Sequence, residues 1–176
     1  RTEVAGIECG TLHSLAAKWL RQAMRGEISG RTEALACGYL DDDRAADFRV
    51  AMPWEVDAAI DDAAKALGKR ATKKRLRECL SVADRSMVET WEPGYEARRL
   101  MRARNLLRFD DLTRIGARIV SAPETAGAAR ERLRPISSLK PFAIVDEAQD
   151  LRGDAALMMA RWSGPVTRVG DDAQAI

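Results

Sequence analysis

Cysteine, histidine and aromatic residues are all scarce in this 176-residue sequence, and each scarcity excludes something. The cysteines are Cys9, Cys37 and Cys79. They are odd in number, far apart and form no CxxC pair, so neither a zinc site nor a disulfide framework is expected. A reducing cytoplasm fits them better, with each thiol a small buried apolar group. His13 is the only histidine, and aromatics make up 5% of the chain. No apolar run approaches the roughly 18 residues that would span a bilayer, so no membrane partner is expected. No secretory signal pattern is present, and the chain begins at Arg1 rather than Met, which leaves room for residues upstream. Charge of one sign is lacking too. Lys and Arg number 29 against 27 Asp and Glu, and a net +2 does not by itself argue for nucleic acid. Internal repeats and low-complexity tracts are absent. So is the phosphate-cradling loop GxxxxGK[ST]: Gly68-Lys69 supplies a GK pair, but Ala63 and Arg70 occupy the other required positions. What remains is an ordinary globular balance, 46% hydrophobic and 32% charged, of a size for one domain or part of a larger one.

The most informative stretch is Phe142-Ala143-Ile144-Val145-Asp146-Glu147-Ala148-Gln149-Asp150. Pro141 bounds a short apolar run of the type buried on both faces of a parallel sheet. The run ends abruptly in acids. At the carboxyl end of a strand in an open α/β sheet, one carboxylate can hold a hard cation such as Mg²⁺ and its neighbour can orient a water. The same pattern also starts helices, because acids complement the N-terminal dipole. A helix is expected over Asp154–Trp162, with Ser163-Gly164-Pro165 as its stop. Val166–Val169 then reads as a second strand, ending in Gly170-Asp171-Asp172. Strand, crossover helix and strand make a βαβ unit with parallel strands. Asp146 and Glu147 would then share one sheet edge with Asp171 and Gln174.

Upstream, Val4–Cys9 is a plausible strand, followed by Gly10-Thr11-Leu12-His13-Ser14 and an amphipathic helix over Leu15–Met24. Thr11 and Ser14 are helix-capping types, and a hydroxyl beside a helix N-terminus also suits a phosphate oxygen. A short helix is expected over Glu33–Leu40. Asp41-Asp42-Asp43 reads as a solvated turn rather than a metal cluster. Pro53–Leu67 carries Pro at its first turn and Gly68 at its end, a helix with both stops in place. Between Lys65 and Arg104 twelve Lys and Arg face five Asp and Glu. That concentration, with Lys73, Lys74 and Arg75 at its centre and Trp91 and Tyr95 within it, suits either a phosphate backbone or a solvated helical face. Helix resumes over Leu106–Ala122, with Asp110 and Asp111 in its first turns, and Glu124–Leu133 is a short polar helix.

Two of these stretches together resemble a known family. Asp146-Glu147-Ala148-Gln149-Asp150 is similar to motif II (Walker B) of the UvrD/Rep-like superfamily 1 DNA helicases, and Val169-Gly170-Asp171-Asp172-Ala173-Gln174-Ala175-Ile176 is similar to their motif III. The separation matches as well. Gly10-Thr11-Leu12-His13-Ser14-Leu15-Ala16 resembles the family's GTFHSLA segment, with Leu12 for the usual Phe. Phe109-Asp110-Asp111-Leu112 resembles its DFDDL segment, with Arg108 where the first Asp would stand.

The resemblance implies an α/β fold, part of a RecA-like P-loop NTPase core of parallel strands with a large inserted helical subdomain. Residues 1–25 and 109–176 would belong to the core and residues 26–108 to the insertion. It implies an ATP-dependent DNA helicase or translocase working on single-stranded DNA, 3′ to 5′, with ATP and Mg²⁺ as cofactors. Asp146 would bind Mg²⁺. Glu147 would activate the hydrolytic water, and Gln174 would sense the γ-phosphate, with Gly170 and Asp171 shaping that loop. Gln149 and Asp150 would tie motif II to its neighbours. Thr11, His13, Lys73, Lys74 and Arg75 would contact DNA. The piece alone would be inactive, since the family's phosphate cradle lies upstream of Thr11 and its second RecA-like domain downstream of Ile176. Two alternatives stay open: a non-catalytic nucleic-acid-binding module derived from a helicase, and part of a helicase-nuclease.

Overall fold

The computed structural model describes residues 10–68, 72–81, 92–122, 142–162 and 164–170. The expected strand Val4–Cys9, the polar helix Glu124–Leu133, and Trp91, Asp171 and Gln174 lie outside these residues. The chain is mixed helix and strand, predominantly helical, with two small parallel two-stranded sheets. It divides into two compact units. One comprises Arg1–Cys37 with Asp110–Ile176, and the other comprises Gly38–Phe109. Among the described residues no helix is long and apolar enough to cross a membrane.

The first unit is built on α1 (Leu12–Met24), α2 (Arg31–Leu35), most of α6 (Phe109–Val120) and α7 (Gly153–Ala160), with strands β3 (Ala143–Val145) and β4 (Val166–Arg168). Helix α1 starts where the Ser14 N–H donates to the Thr11 hydroxyl (3.2 Å), and it ends before Gly26, whose φ of 70° suits a residue without Cβ. Ala16, Trp19, Leu20 and Ala23 recur at helical spacing, and all are buried. Leu112, Ile115 and Ile119 of α6 and Met158 of α7 are buried in the same unit. The approach is tightest at Gly116, where an added Cβ would lie 2.9 Å from both the Ala16 Cβ and the Met158 Sδ. Trp19 and Trp162 stack with ring centroids 5.9 Å apart. The Arg114 guanidinium, largely buried, donates to Asp154 at 2.9 Å and ties α6 to α7.

The second unit contains β1 (Arg49–Val50), α3 (Pro53–Leu67), α4 (Lys73–Ser81), α5 (Glu92–Ala103) and β2 (Leu106–Leu107). Its core is Ala51, Ala59, Ile60, Ala63, Leu76, Leu80, Ala97, Met101 and Leu106. Each of the large aliphatic side chains contributes about 1.5–3 kcal/mol by leaving water. Helix α3 has the bounds its sequence announces: Pro53 opens it, the Glu55 carboxylate accepts the Met52 N–H at 3.0 Å, and Gly68 closes it at φ 57°.

Three expectations need correction. Leu106–Leu107 is not helical: it pairs in parallel with Arg49–Val50, and the helix begins only at Phe109. Helix α2 is confined to Arg31–Leu35, displaced from the expected Glu33–Leu40, because Gly30 at φ 106° starts it early. Strand β3 is not buried on both faces. Val145 is 8% exposed, but Ile144 is 67% and Phe142 is 55% exposed, because the small two-stranded sheet is covered only on the Val145 side.

Candidate functional site

Strands β3 and β4 lie side by side in parallel, with Ala143 opposite Val166, Ile144 opposite Thr167 and Val145 opposite Arg168. The pairing continues past the strands. The Val169 N–H donates to the Val145 carbonyl oxygen (2.8 Å), and the Ala148 N–H donates to the Val169 carbonyl oxygen (2.9 Å). Parallel strands end on the same edge, so Asp146 and Glu147 leave β3 beside the point where Gly170 leaves β4. The parallel pairing of the two strands is the one the sequence predicts; the expected meeting of Asp146 and Glu147 with Asp171 and Gln174 involves residues outside those described.

The turn after β3 is tightly wound. Glu147 adopts a left-handed conformation at φ 51°, ψ 43°. For a non-glycine residue that costs on the order of 1–3 kcal/mol, so the surroundings must hold it. They do so from both sides. The Asp146 carboxylate accepts the Glu147 N–H at 3.0 Å, and the Glu147 carbonyl oxygen accepts the Asp150 N–H at 2.9 Å, closing the single 3₁₀ turn Ala148–Asp150. The Gln149 amide donates to the Glu147 carboxylate at 2.5 Å. Gly170 packs so closely that an added Cβ would collide with the Gln149 amide oxygen and lie 3.2 Å from the Ala148 nitrogen.

Asp146 and Glu147 are both exposed. Among the described residues no three His, Cys, Asp or Glu converge as a ready-made metal cage. That donor set suits Mg²⁺ rather than a transition metal, because Mg²⁺ is typically held by one or two carboxylates, with waters and phosphate oxygens completing its shell. The residues present therefore fit the ion. They do not include the backbone cradle that a triphosphate needs.

The other candidate residues stand elsewhere. Thr11 is the N-cap of α1 and uses its hydroxyl on the Ser14 N–H, while His13 is partly buried in the first turn. Lys73, Lys74 and Arg75 form the first turn of α4 in the second unit. Three cations at a helix N-terminus oppose the dipole, and paired acids offset that cost. Lys73 pairs with Asp61 at 2.7 Å. Along the same segment Arg77 pairs with Asp57, Arg104 with Asp62 and Arg102 with Asp41. These acids, three of them within α3 and Asp41 before it, all lie outside Lys65–Arg104, so counting charge along that segment overstates its net positive charge. The pairs leave a titration signature. The Arg104 hydrogen bond holds the Asp62 carboxyl below its ordinary range, and the Met52 N–H does the same for Glu55.

Two features of the site escape sequence reasoning. The left-handed turn at Glu147 carries no glycine or asparagine signal. The closeness of Gly170 to Gln149 depends on a pairing between segments about twenty residues apart. Comparison with protein-family models, with curated proteins and with solved structures returned no match.

Proposed function

We propose that this chain belongs to a DNA-dependent ATPase motor of the UvrD/Rep helicase type, with a RecA-like core and an inserted helical subdomain. One observation carries it: β3 and β4 run in parallel and bring Asp146, Glu147 and Gly170 to one edge, tied by the Ala148–Val169 hydrogen bond. Mg²⁺ with ATP, when bound, would supply the electrophilic phosphorus and neutralise charge on the phosphate oxygens. Asp146, at the strand end, would hold the ion, and Glu147 would orient and deprotonate the attacking water. Gly170 leaves β4 against Ala148 and Gln149 of the turn that carries Glu147, and Asp171 and Gln174 are the proposed partners that follow it in sequence, Gln174 as the γ-phosphate sensor. Thr11, His13, Lys73, Lys74 and Arg75 are the proposed contacts to DNA. In the full-length motor, hydrolysis would drive movement along single-stranded DNA, 3′ to 5′, and unwinding, in the cytoplasm.

The test is single-stranded-DNA-stimulated ATP hydrolysis by the full-length protein that carries these residues. Glu147→Gln should lower kcat by at least about 100-fold while leaving nucleotide binding intact, as expected for loss of a general base. A variant that turns over at the wild-type rate would remove Glu147 from the chemistry. A second reading, a non-catalytic nucleic-acid-binding module, is favoured only by the lack of a GxxxxGK[ST] cradle within these 176 residues. It predicts DNA binding with no turnover by the full-length protein.

A further inference from the structure

We propose that Gln149 is a positioning residue that sets the direction of the Glu147 carboxylate, and that Gly170 is the element through which the β4 exit controls it. The proposal rests on the motor assignment above for its catalytic consequence, but the contact itself is independent of that assignment.

Glu147 is held in a left-handed backbone conformation at the turn. The carboxylate is exposed, and an exposed Glu samples several rotamers. The Gln149 amide ends that freedom with a 2.5 Å hydrogen bond to one carboxylate oxygen, leaving the other oxygen for a water. Gln149 is itself located by the far strand, because its amide oxygen sits where a Cβ on Gly170 would be. Gly170 has no positive φ to explain it. Its lack of a side chain is needed for close approach. The chain of contact is therefore Gly170, the Gln149 amide, and the Glu147 carboxylate. A shift of the β4 exit by a few tenths of an ångström would rotate the amide and release or re-aim the carboxylate. That is a direct route by which events on the β4 loop reach the residue that handles the water.

A merely structural Gln149 would matter for folding and not for this relay, and the two roles separate in a double-mutant cycle. In the full-length protein, Gln149→Met keeps the side-chain length and removes the amide. It should lower kcat by about 10-fold or more with KM for ATP and the melting temperature unchanged, the size expected when a partner orienting a functional side chain is lost. Gly170→Ala should lower kcat similarly in the wild-type background and cost clearly less on Gln149→Ala, where the Gln149 amide is gone and only the 3.2 Å approach to the Ala148 nitrogen remains. Additive losses in the two variants would overturn the relay, as would a kcat for Gln149→Met within a factor of two of wild type.

A second readout needs no nucleotide. With glutamine-selective ¹⁵N labelling, the Gln149 side-chain amide should give two well-separated proton resonances that collapse toward random-coil positions in Glu147→Ala and in Gly170→Ala. Resonances insensitive to both substitutions would overturn the contact. If the resonances respond but neither wild type nor any variant hydrolyses ATP, the contact stands. The motor assignment then falls, and the catalytic role of Gln149 falls with it.

Discussion

Lys73, Lys74 and Arg75 occupy a turn where the helix dipole opposes them, and this gives a quantitative test of whether α4 touches a nucleic-acid backbone. Each phosphate neutralised on a single strand releases counterions worth about 0.7 in the slope of log K against log salt. At 0.1 M salt one such contact contributes roughly five-fold in affinity, about 1 kcal/mol. Lys73 is already 2.7 Å from Asp61 and would contribute less than a full contact. Lys74→Gln should therefore reduce the magnitude of the slope by about 0.7, Lys73→Gln and Arg75→Gln each by no more than that, and the triple variant by roughly 1–2. The affinity loss for the triple variant at 0.1 M salt should be on the order of 10–100-fold. Arg99→Gln is the control. Its guanidinium is held by Glu96 at 2.7 Å on the next helix, and the slope should stay at the wild-type value. The assay is fluorescence anisotropy of a labelled oligothymidylate titrated at several salt concentrations. A triple variant with the wild-type slope would refute a backbone contact at α4 and reduce its cations to a solvated face.

Two further predictions concern the two folded units. Gly116→Val places a branched side chain against Ala16 and Met158, where even one carbon would come within 2.9 Å of each. It should destabilise the first unit by about 3 kcal/mol in urea unfolding, at the upper end of overpacking costs, whereas an unchanged midpoint would mean that α1, α6 and α7 do not pack as described. Asp62, Glu55 and Glu96 all have carboxyls held below their ordinary range, Asp62 chiefly by the Arg104 hydrogen bond and Glu96 chiefly by that of Arg99. A depressed folded-state pKa gives stability that is present above the unfolded-state value and is lost as pH falls through the folded one. The second unit should therefore hold its stability through neutral pH and lose it only below the ordinary carboxylate range, and Arg104→Gln should flatten the Asp62 part of that loss. Equal acid sensitivity with and without Arg104 would contradict the pairing.

What the sequence reveals and what it hides follow from the range of the interactions involved. Helix α3 is legible to its terminal residues because its stops, Pro53 and Gly68, are local. The β3–β4 pairing is legible because both strands are short and each is followed in the sequence by acids, about twenty residues apart. The β1–β2 pairing is not. Its strands are two residues each, and Leu106–Leu107 continues an apolar pattern that reads equally as helix, so only the distant partner Arg49–Val50 decides. The pairing of the cations of Lys65–Arg104 is hidden for the same reason. Their partners include Asp57, Asp61 and Asp62 on α3 and Asp41, and no count along a segment reveals this. At the candidate site, Asp146, Glu147 and Gly170 can be found from motif and spacing, but the left-handed turn and the amide that holds Glu147 emerge only once the two strands are placed together.

The turn after β3 and the exit of β4 are proposed to surround one metal–nucleotide site. Iron-directed cleavage measures this most directly: Fe²⁺ replaces Mg²⁺ on the full-length protein with ATP present, and peroxide with ascorbate then cuts the backbone next to the metal. Cuts at both 146–148 and 169–171, suppressed by excess Mg²⁺ and by Asp146→Ala, are the predicted result. Cleavage confined to one of the two segments, or falling elsewhere in the chain, would contradict it.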